Sequence, residues 1–393
     1  MIELEEAYES LAAWCRARGW AGHDPFDGLN SRLFRATPLV KSRVARLVWT
    51  QAFKRAPVNL RALARVPAGR NAKGTALFAL AALSRFRATG KSEYEREARE
   101  LLEALLAARI EGAGDGAAWG YNFDWQGRAF FAPQGTPTIV PTAFAARALV
   151  EAWHAFGDER YLGAARGACE FILRDLHRSS ETADEVCFSY TPLDRTCVYN
   201  ASLLAGEVLA SVGAETGEPE LLKTAERAAR YVVGRQQASG AWGYGAADFQ
   251  TWADNFHTAF VLTSLKRIME ACGGEARVEF AGSLRRGCEF WREHFFLADG
   301  WPKYYHDNPY PADAHSSGAA TVALCELRDT MPGAQALARR VTSWTLRHLR
   351  DRRRGFFYYQ RRRFYTIRTP YMRWTQAWML YALARLLEER GQG

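Results

Sequence analysis

From about residue 70 to the C-terminus, the hydrophobic positions of this chain fall into two alternating kinds of segment. In the first, apolar residues recur at steps of three and four with charges between them, as in Tyr94-Ala98-Leu101-Leu102-Leu105, Leu162-Ala165-Cys169-Ile172-Leu173-Leu176 and Leu222-Ala225-Ala229-Val232. That stripe predicts helices with one face on a core and one in water. In the second, such as Thr142–Trp153 and Ala201–Ala210, almost every face is apolar, which is tolerable only for a helix surrounded by neighbours. The pattern therefore predicts outer and inner helices in alternation.

The inner segments start at Thr142, Asn200, Thr258, Ser316 and Thr375, at intervals of 58, 58, 58 and 59 residues, with a further start near Lys73-Gly-Thr75. A self-similar period of this length signals repeated hairpins. The small polar residue at each start is of a type that caps a helix N-terminus. Aromatic knots precede five of the starts: Trp119-Gly-Tyr-Asn, Phe188-Ser-Tyr, Trp242-Gly-Tyr, Trp301-Pro-Lys-Tyr-Tyr and Phe356-Phe-Tyr-Tyr.

Inner helices are expected near 71–86, 142–156, 200–213, 257–271, 315–329 and 374–390. The sixth has no outer partner after it, but the amphipathic segment 2–18 can supply one. Closing the chain in this way predicts an all-α (α/α)6 toroid, a six-hairpin barrel occupying 1–393 as one domain. Helix 2–18 seals the ring against 374–390, 42–54 forms an extra helix, and the long aromatic loops share one rim.

Composition agrees with a globular protein: 48% hydrophobic, 24% charged and 13 Trp. The net charge of +9 raises nucleic-acid binding, but only seven residues are lysine and no helix-turn-helix, zinc-finger or RNP pattern accompanies the charge. An arginine-rich surplus suits an anionic sugar equally well, and no nucleic-acid partner is expected. The start, Met-Ile-Glu-Leu-Glu-Glu, lacks the basic and apolar signature of a secretory signal, and no apolar run reaches the ~18 residues of a membrane span. A cytoplasmic protein without a transmembrane segment is expected. Seven cysteines with no CxxC pair read as reduced core residues.

Four loops supply candidate chemistry on the loop-bearing rim. In the first, Trp119, Tyr121, Asp124, Trp125 and Arg128 combine flat aromatic faces with polar groups, which suits the apolar face and hydroxyl belt of a pyranose. The alternative is that the aromatics plug the barrel and Asp124 pairs with Arg128. The second brings Tyr190, Asp194, Arg195, Tyr199 and Asn200 to an inner helix start. Tyr199 reads as an acid and Arg195 as a two-pronged carboxylate clamp, or Asn200 as a cap and Asp194-Arg195 as a turn salt bridge. The third is Trp252-Ala-Asp254-Asn-Phe-His257, where a carboxylate three residues before an imidazole can orient it for proton transfer near neutral pH. The fourth adds Lys303, Tyr304, His306 and His315, with His315 almost at the repeat position of His257. A zinc site from His257, His306 and His315 lacks HExxH-like spacing, and neither a metal nor an organic cofactor is expected. Trp242 and Arg373 complete the candidate sugar contacts.

The stretches Trp119-Gly-Tyr-Asn-Phe-Asp-Trp-Gln, Phe188-Ser-Tyr-Thr-Pro-Leu-Asp, Val198-Tyr-Asn-Ala-Ser-Leu-Leu, Asp254-Asn-Phe-His-Thr and Pro302-Lys-Tyr-Tyr-His resemble a bacterial family met in polysaccharide-biosynthesis gene clusters and often labelled delta-aminolevulinic acid dehydratase. That label implies a β/α barrel with a Schiff-base lysine; the chain shows neither the alternating strands nor such a lysine motif. At the fold level the chain is similar to six-hairpin glycosidases, N-acylglucosamine 2-epimerases and the C-terminal domain of glucuronyl C5-epimerases.

The resulting expectation is a sugar- or glycan-modifying enzyme of polysaccharide biosynthesis. Acid/base chemistry would involve His257, His315, Tyr199, Asp254 and Asp124, with epimerase or lyase first and glycoside hydrolase second. Alternatives are a glycan-binding subunit associated with polysaccharide-assembly proteins and a terpenoid-cyclase-like or prenyltransferase-like toroid.

Overall fold

The computed structural model describes residues 2–111 and 116–391. In chain order the helices are α1 (Ile2–Arg16), α2 (Arg32–Arg35), α3 (Arg43–Arg55), α4 (Ala72–Thr89), α5 (Ser92–Ala107), α6 (Ile139–Phe156), α7 (Glu159–Arg174), α8 (Tyr199–Thr216), α9 (Pro219–Val233), α10 (Asn255–Cys272), α11 (Gly274–Phe295), α12 (Ala314–Glu326), α13 (Ala334–His348) and α14 (Trp378–Gly391). Helices α4, α6, α8, α10, α12 and α14 each pack against the next, and α14 packs back against α4. Around them lie α5, α7, α9, α11 and α13, while α1 covers α14. The chain is an all-α (α/α)6 toroid.

The two helix types follow from their sequences. In α12 every residue from Ala314 to Cys325 is buried, because small side chains let its neighbours approach on all sides. Gly318 marks the closest approach: a Cβ there would lie 2.9 Å from the carbonyl carbon and oxygen of Trp378. Gly318→Val is accordingly expected to destabilise the ring by about 1–3 kcal/mol, measured as a lower urea midpoint with an unchanged slope.

At one rim, the hairpins turn tightly. Gly90, Gly157 and Gly217 follow α4, α6 and α8 with φ of +66°, +67° and +68°, the left-handed conformation that glycine adopts without a Cβ penalty. That end also carries a set of ion pairs. Arg147 Nε and Nη2 donate to Glu207 at 2.8 and 2.7 Å, Arg267 Nη1 donates to Glu207 at 2.6 Å, and Arg267 Nη2 reaches Glu326 at 2.7 Å. Arg87 bonds Glu388 at 2.7 Å. Arg147, Glu207, Arg267 and Glu326 line a depression of about 540 Å³ at this end.

Long connections such as 175–198, 234–254 and 349–371 run over the other rim, carrying only short strand pairs or, in 234–254, a short 3-10 turn at Asp248–Gln250. Here five of the inner helices begin one to three residues before the expected starts, and α14 begins three residues after Thr375. The side-chain caps are Asn71, Asp254 and Asp313, and Thr142, Asn200, Thr258 and Ser316 sit inside the first turn. Pro141 disguised the true start of α6, since the first turn needs no proline N–H. Thr258 instead donates its hydroxyl to the Asp254 carbonyl at 2.7 Å. The last inner helix is preceded by a π-helical turn, Met372–Ala377, the kind of local widening that re-aims side chains.

Candidate functional site

The ring axis opens at the loop-bearing rim into two connected spaces. The inner chamber has a volume of about 180 Å³, on the order of six waters at ~30 Å³ each, a footprint suited to one sugar ring. A vestibule of about 570 Å³ lies outside it, and Trp125, Tyr244, His257 and Tyr304 line both.

The chamber wall follows from the repeat. The second residue after the N-cap of each inner helix, and of the π-turn before α14, is Lys73, Val140, Asn200, Phe256, His315 or Arg373. All six line the chamber. One register position repeated around a closed ring thus converges on the axis, with the positive ends of the inner helix dipoles behind it.

His257 stands one position further along α10, between chamber and vestibule. Asp254 accepts from the His257 backbone N–H at 3.0 Å through Oδ1, and from the ring Nδ1 at 2.7 Å through Oδ2. One carboxylate therefore caps the helix and fixes the imidazole. Because an ionised carboxylate only accepts, the ring proton is held on Nδ1 and Nε2 presents its lone pair. The Tyr244 and Phe256 rings hold the imidazole at centroid distances of 4.8 and 4.0 Å.

His315 lies on the other side of Phe256, whose ring centroid is 4.4 Å from it. It stacks on Trp374 at 4.1 Å and is fully buried, with neither ring nitrogen hydrogen-bonded. Burial, reinforced by the charges of Lys73 and Arg373, holds it well below the usual histidine range, so the ring is neutral at pH 7. Asn200 Oδ1 is likewise buried without a partner. Such atoms in a polar-capable cavity point to a ligand that completes them.

Two cations complete the wall. Arg373 donates Nε and Nη2 to Asp24 at 2.6 and 2.8 Å. Lys73 has no carboxylate: its ammonium faces Phe144, Phe260 and Trp378 at 4.3, 5.0 and 5.4 Å from the ring centroids. Burial, with Arg373 and Arg147 adding to it, pushes the Lys73 pKa well below its ordinary value. Asp313 accepts from Ser316 N at 2.8 Å and from Trp374 Nε1 at 3.2 Å, and burial raises it to about 6; it holds the ring on which His315 stacks. A cation in an apolar wall without an anion is destabilising, so Lys73→Met is expected to raise the melting temperature by a few degrees while weakening ligand binding, read by calorimetry with and without sugar.

Of the residues singled out from the sequence, Tyr121, Trp125, Tyr190, Asn200, His257, Tyr304, His315 and Arg373 line the chamber, and Asp254, Arg128 and Trp252 line the vestibule. The remainder lie outside both linings, each for a local reason. Asp124 is an ion-pair partner of Arg35 at 3.0 Å, in place of Arg128, and accepts from Gln134 N at 2.7 Å. Tyr199 packs against Tyr231. Asp194 accepts from the backbone and hydroxyl groups of Thr191 and Thr196, while Arg195 is exposed. Trp119 and Trp242 are buried and donate Nε1 to Leu105 and Val232 carbonyls at 2.8 and 2.9 Å, satisfying the ends of the preceding outer helices. Lys303 bonds the His306 carbonyl, and the His306 ring faces Phe290 and Phe295. Among the described residues, no three His, Cys, Asp or Glu side chains gather in a metal-binding group. Sequence reasoning missed Asp24, Phe26, Lys73, Tyr244, Phe256, Phe260 and Trp374.

No family model matches the chain, and no curated protein matches it in sequence. Solved structures do. Cellobiose 2-epimerase from Bacillus thermoamylovorans superposes with a TM-score of 0.62 at 12% identity over 82% of this chain and 88% of its own. A D-mannose isomerase gives 0.60 at 12% over 82% and 88%. An unsaturated glucuronyl hydrolase specific for heparin gives 0.59 at 14% over 99% and 96%. At these identities the likeness shows the toroid.

Proposed function

We propose that this protein is a sugar-modifying enzyme that moves a proton on a carbon next to a carbonyl, as an epimerase or isomerase does. The observation carrying this reading is the Asp254–His257 pair, whose free Nε2 opens on an aromatic chamber containing a second, neutral imidazole. His257 takes the proton from carbon, and the electron pair moves onto the carbonyl oxygen. His257, now an imidazolium, returns the proton once the planar intermediate has turned its other face to complete epimerisation, or to the neighbouring carbon to complete isomerisation, while Lys73, the Asn200 amide and the N–H of neutral His315 stabilise the oxyanion. Elimination from a uronate would begin with the same abstraction.

Glycoside hydrolysis calls for two carboxyl groups flanking the bond, and among the described residues the chamber lining contains none. Two of the similar structures, a cellobiose 2-epimerase and a D-mannose isomerase, support the same substrate class. The motif resemblance noted above supports a glycan intermediate of polysaccharide biosynthesis as the physiological substrate.

The test is proton NMR in deuterium oxide with a panel of reducing monosaccharides, disaccharides and uronates. The expected result is loss of the signal from the proton next to the carbonyl, with appearance of an epimer or ketose, for at least one sugar. Exchange that persists unchanged in both His257→Gln and His315→Phe, or cleavage of glycosides without exchange, overturns the reading.

A further inference from the structure

The segment 31–70 contains ten lysines and arginines and no aspartate or glutamate. Six of the thirteen large hydrophobic side chains that stand exposed among the described residues also fall within it: Leu33, Leu39, Val44, Val48, Val58 and Leu63. Val44 and Val48 fall on α3, just after the 3-10 turn Pro38–Lys41. Trp49 and Phe53 face inward, with Phe53 packed among Ala64 and Val66, and Leu47, Gln51 and Lys54 border the vestibule. The outward stripe, at steps of three and four, is Lys41, Val44, Val48, Ala52 and Arg55, all exposed, with Val44 at 69% and Val48 at 64%. The stripe is apolar in the middle and basic at both ends.

A second element extends it. Tyr365 donates its hydroxyl to the Arg55 carbonyl at 3.3 Å, where α3 ends. Next to it, Phe364 is 86% exposed, directly after Arg361, Arg362 and Arg363. Arg55 and Arg362 also line the vestibule, so the face adjoins the mouth of the site.

We propose that α3 and the 361–365 loop form a docking face for an anionic phospholipid bilayer, which sets the vestibule mouth at the lipid surface. Aliphatic residues flanked by cations suit the boundary between headgroups and acyl chains, where apolar burial and attraction to anionic lipid act together. A nucleic acid would use the cations but leave Val44 and Val48 with nothing to bury against. No helix among the described residues is long and apolar enough to cross a membrane, so the contact is peripheral. It does not depend on the reaction in the chamber.

The test is co-sedimentation of the full chain with vesicles of phosphatidylcholine alone, or containing about 40% phosphatidylglycerol, at about 0.05 M and about 0.5 M salt. Binding is expected only to the anionic vesicles, weakening several-fold at the higher salt. The Val44→Asp, Val48→Asp, Phe364→Ser triple variant should lose at least tenfold in partitioning with its melting temperature retained, whereas Val278→Asp, at an exposed site elsewhere on the molecule, should bind as the parent does. Equal binding to neutral vesicles, no binding to either, or unchanged binding by the triple variant overturns the proposal. Duplex DNA binding that equals vesicle binding and ignores the valine substitutions identifies a charge-only surface and overturns it as well.

Discussion

Glu207→Ala is expected to lower stability by about 3–5 kcal/mol, the largest loss from any single ion-pair substitution in the ring. Glu207 is buried and bonds Arg147, Arg267 and the Ser264 hydroxyl, the last at 2.6 Å. Truncation leaves two guanidinium groups facing each other without the anion between them. Burial by itself would raise the Glu207 pKa, but Arg147 and Arg267 outweigh it and hold the carboxyl near 2, down from the usual 4.5. A depressed carboxylate stabilises the fold above its unfolded value and loses that contribution as pH falls. The stabilisation, about 3 kcal/mol, is therefore full above about pH 4.5 and disappears between 4.5 and 2. Urea titrations at several pH values should show Glu207→Gln lacking this acid limb while sharing the rest of the parent's pH dependence. An identical limb in both proteins contradicts the assignment of that proton to Glu207.

The ring was legible because its period is written twice, in the all-round apolarity of the inner segments and in the stripes of the outer ones. The ion pairs at the short-turn rim were not, although Arg87, Arg147, Glu207, Arg267 and Glu326 recur at nearly the same interval. They stand within apolar helices, and a charge on one helix carries no partner information until the ring is closed.

The site was half legible. Asp254 and His257 declare themselves by sharing one helix turn, so their contact is local. Lys73 and Phe256 belong to the chamber only because each stands two residues after a cap, a rule that needs the caps themselves. Taking Thr142 and Thr258 as starts shifted the register by up to a turn and hid it. By the same rule His315 corresponds to Phe256, one position before His257. Trp119 and Trp242 misled for a different reason. An indole beside a glycine in a loop looks like a sugar platform, but here it fills the groove between helices and caps an outer one.

Asp254→Asn should separate positioning from folding at the candidate active site. Its Oδ1 can still accept from the His257 backbone N–H, now 3.0 Å from it, so the cap on α10 persists and the melting temperature should move by no more than a few degrees. The ring contact changes in kind. An amide turned to keep the cap offers its NH2 to Nδ1, which favours the tautomer with the proton on Nε2 and removes the lone pair facing the chamber. Turnover, measured as proton–deuterium exchange into the sugar identified by the panel, should fall by about 10²–10⁴-fold, with KM changed far less than kcat because Asp254 itself contacts no sugar in this scheme. His257→Gln should fall as far or further. The double variant should be little worse than His257→Gln alone, since the carboxylate acts through the imidazole. Additive losses would place Asp254 on the substrate, and an Asp254→Asn enzyme within a few-fold of the parent would remove His257 as the base.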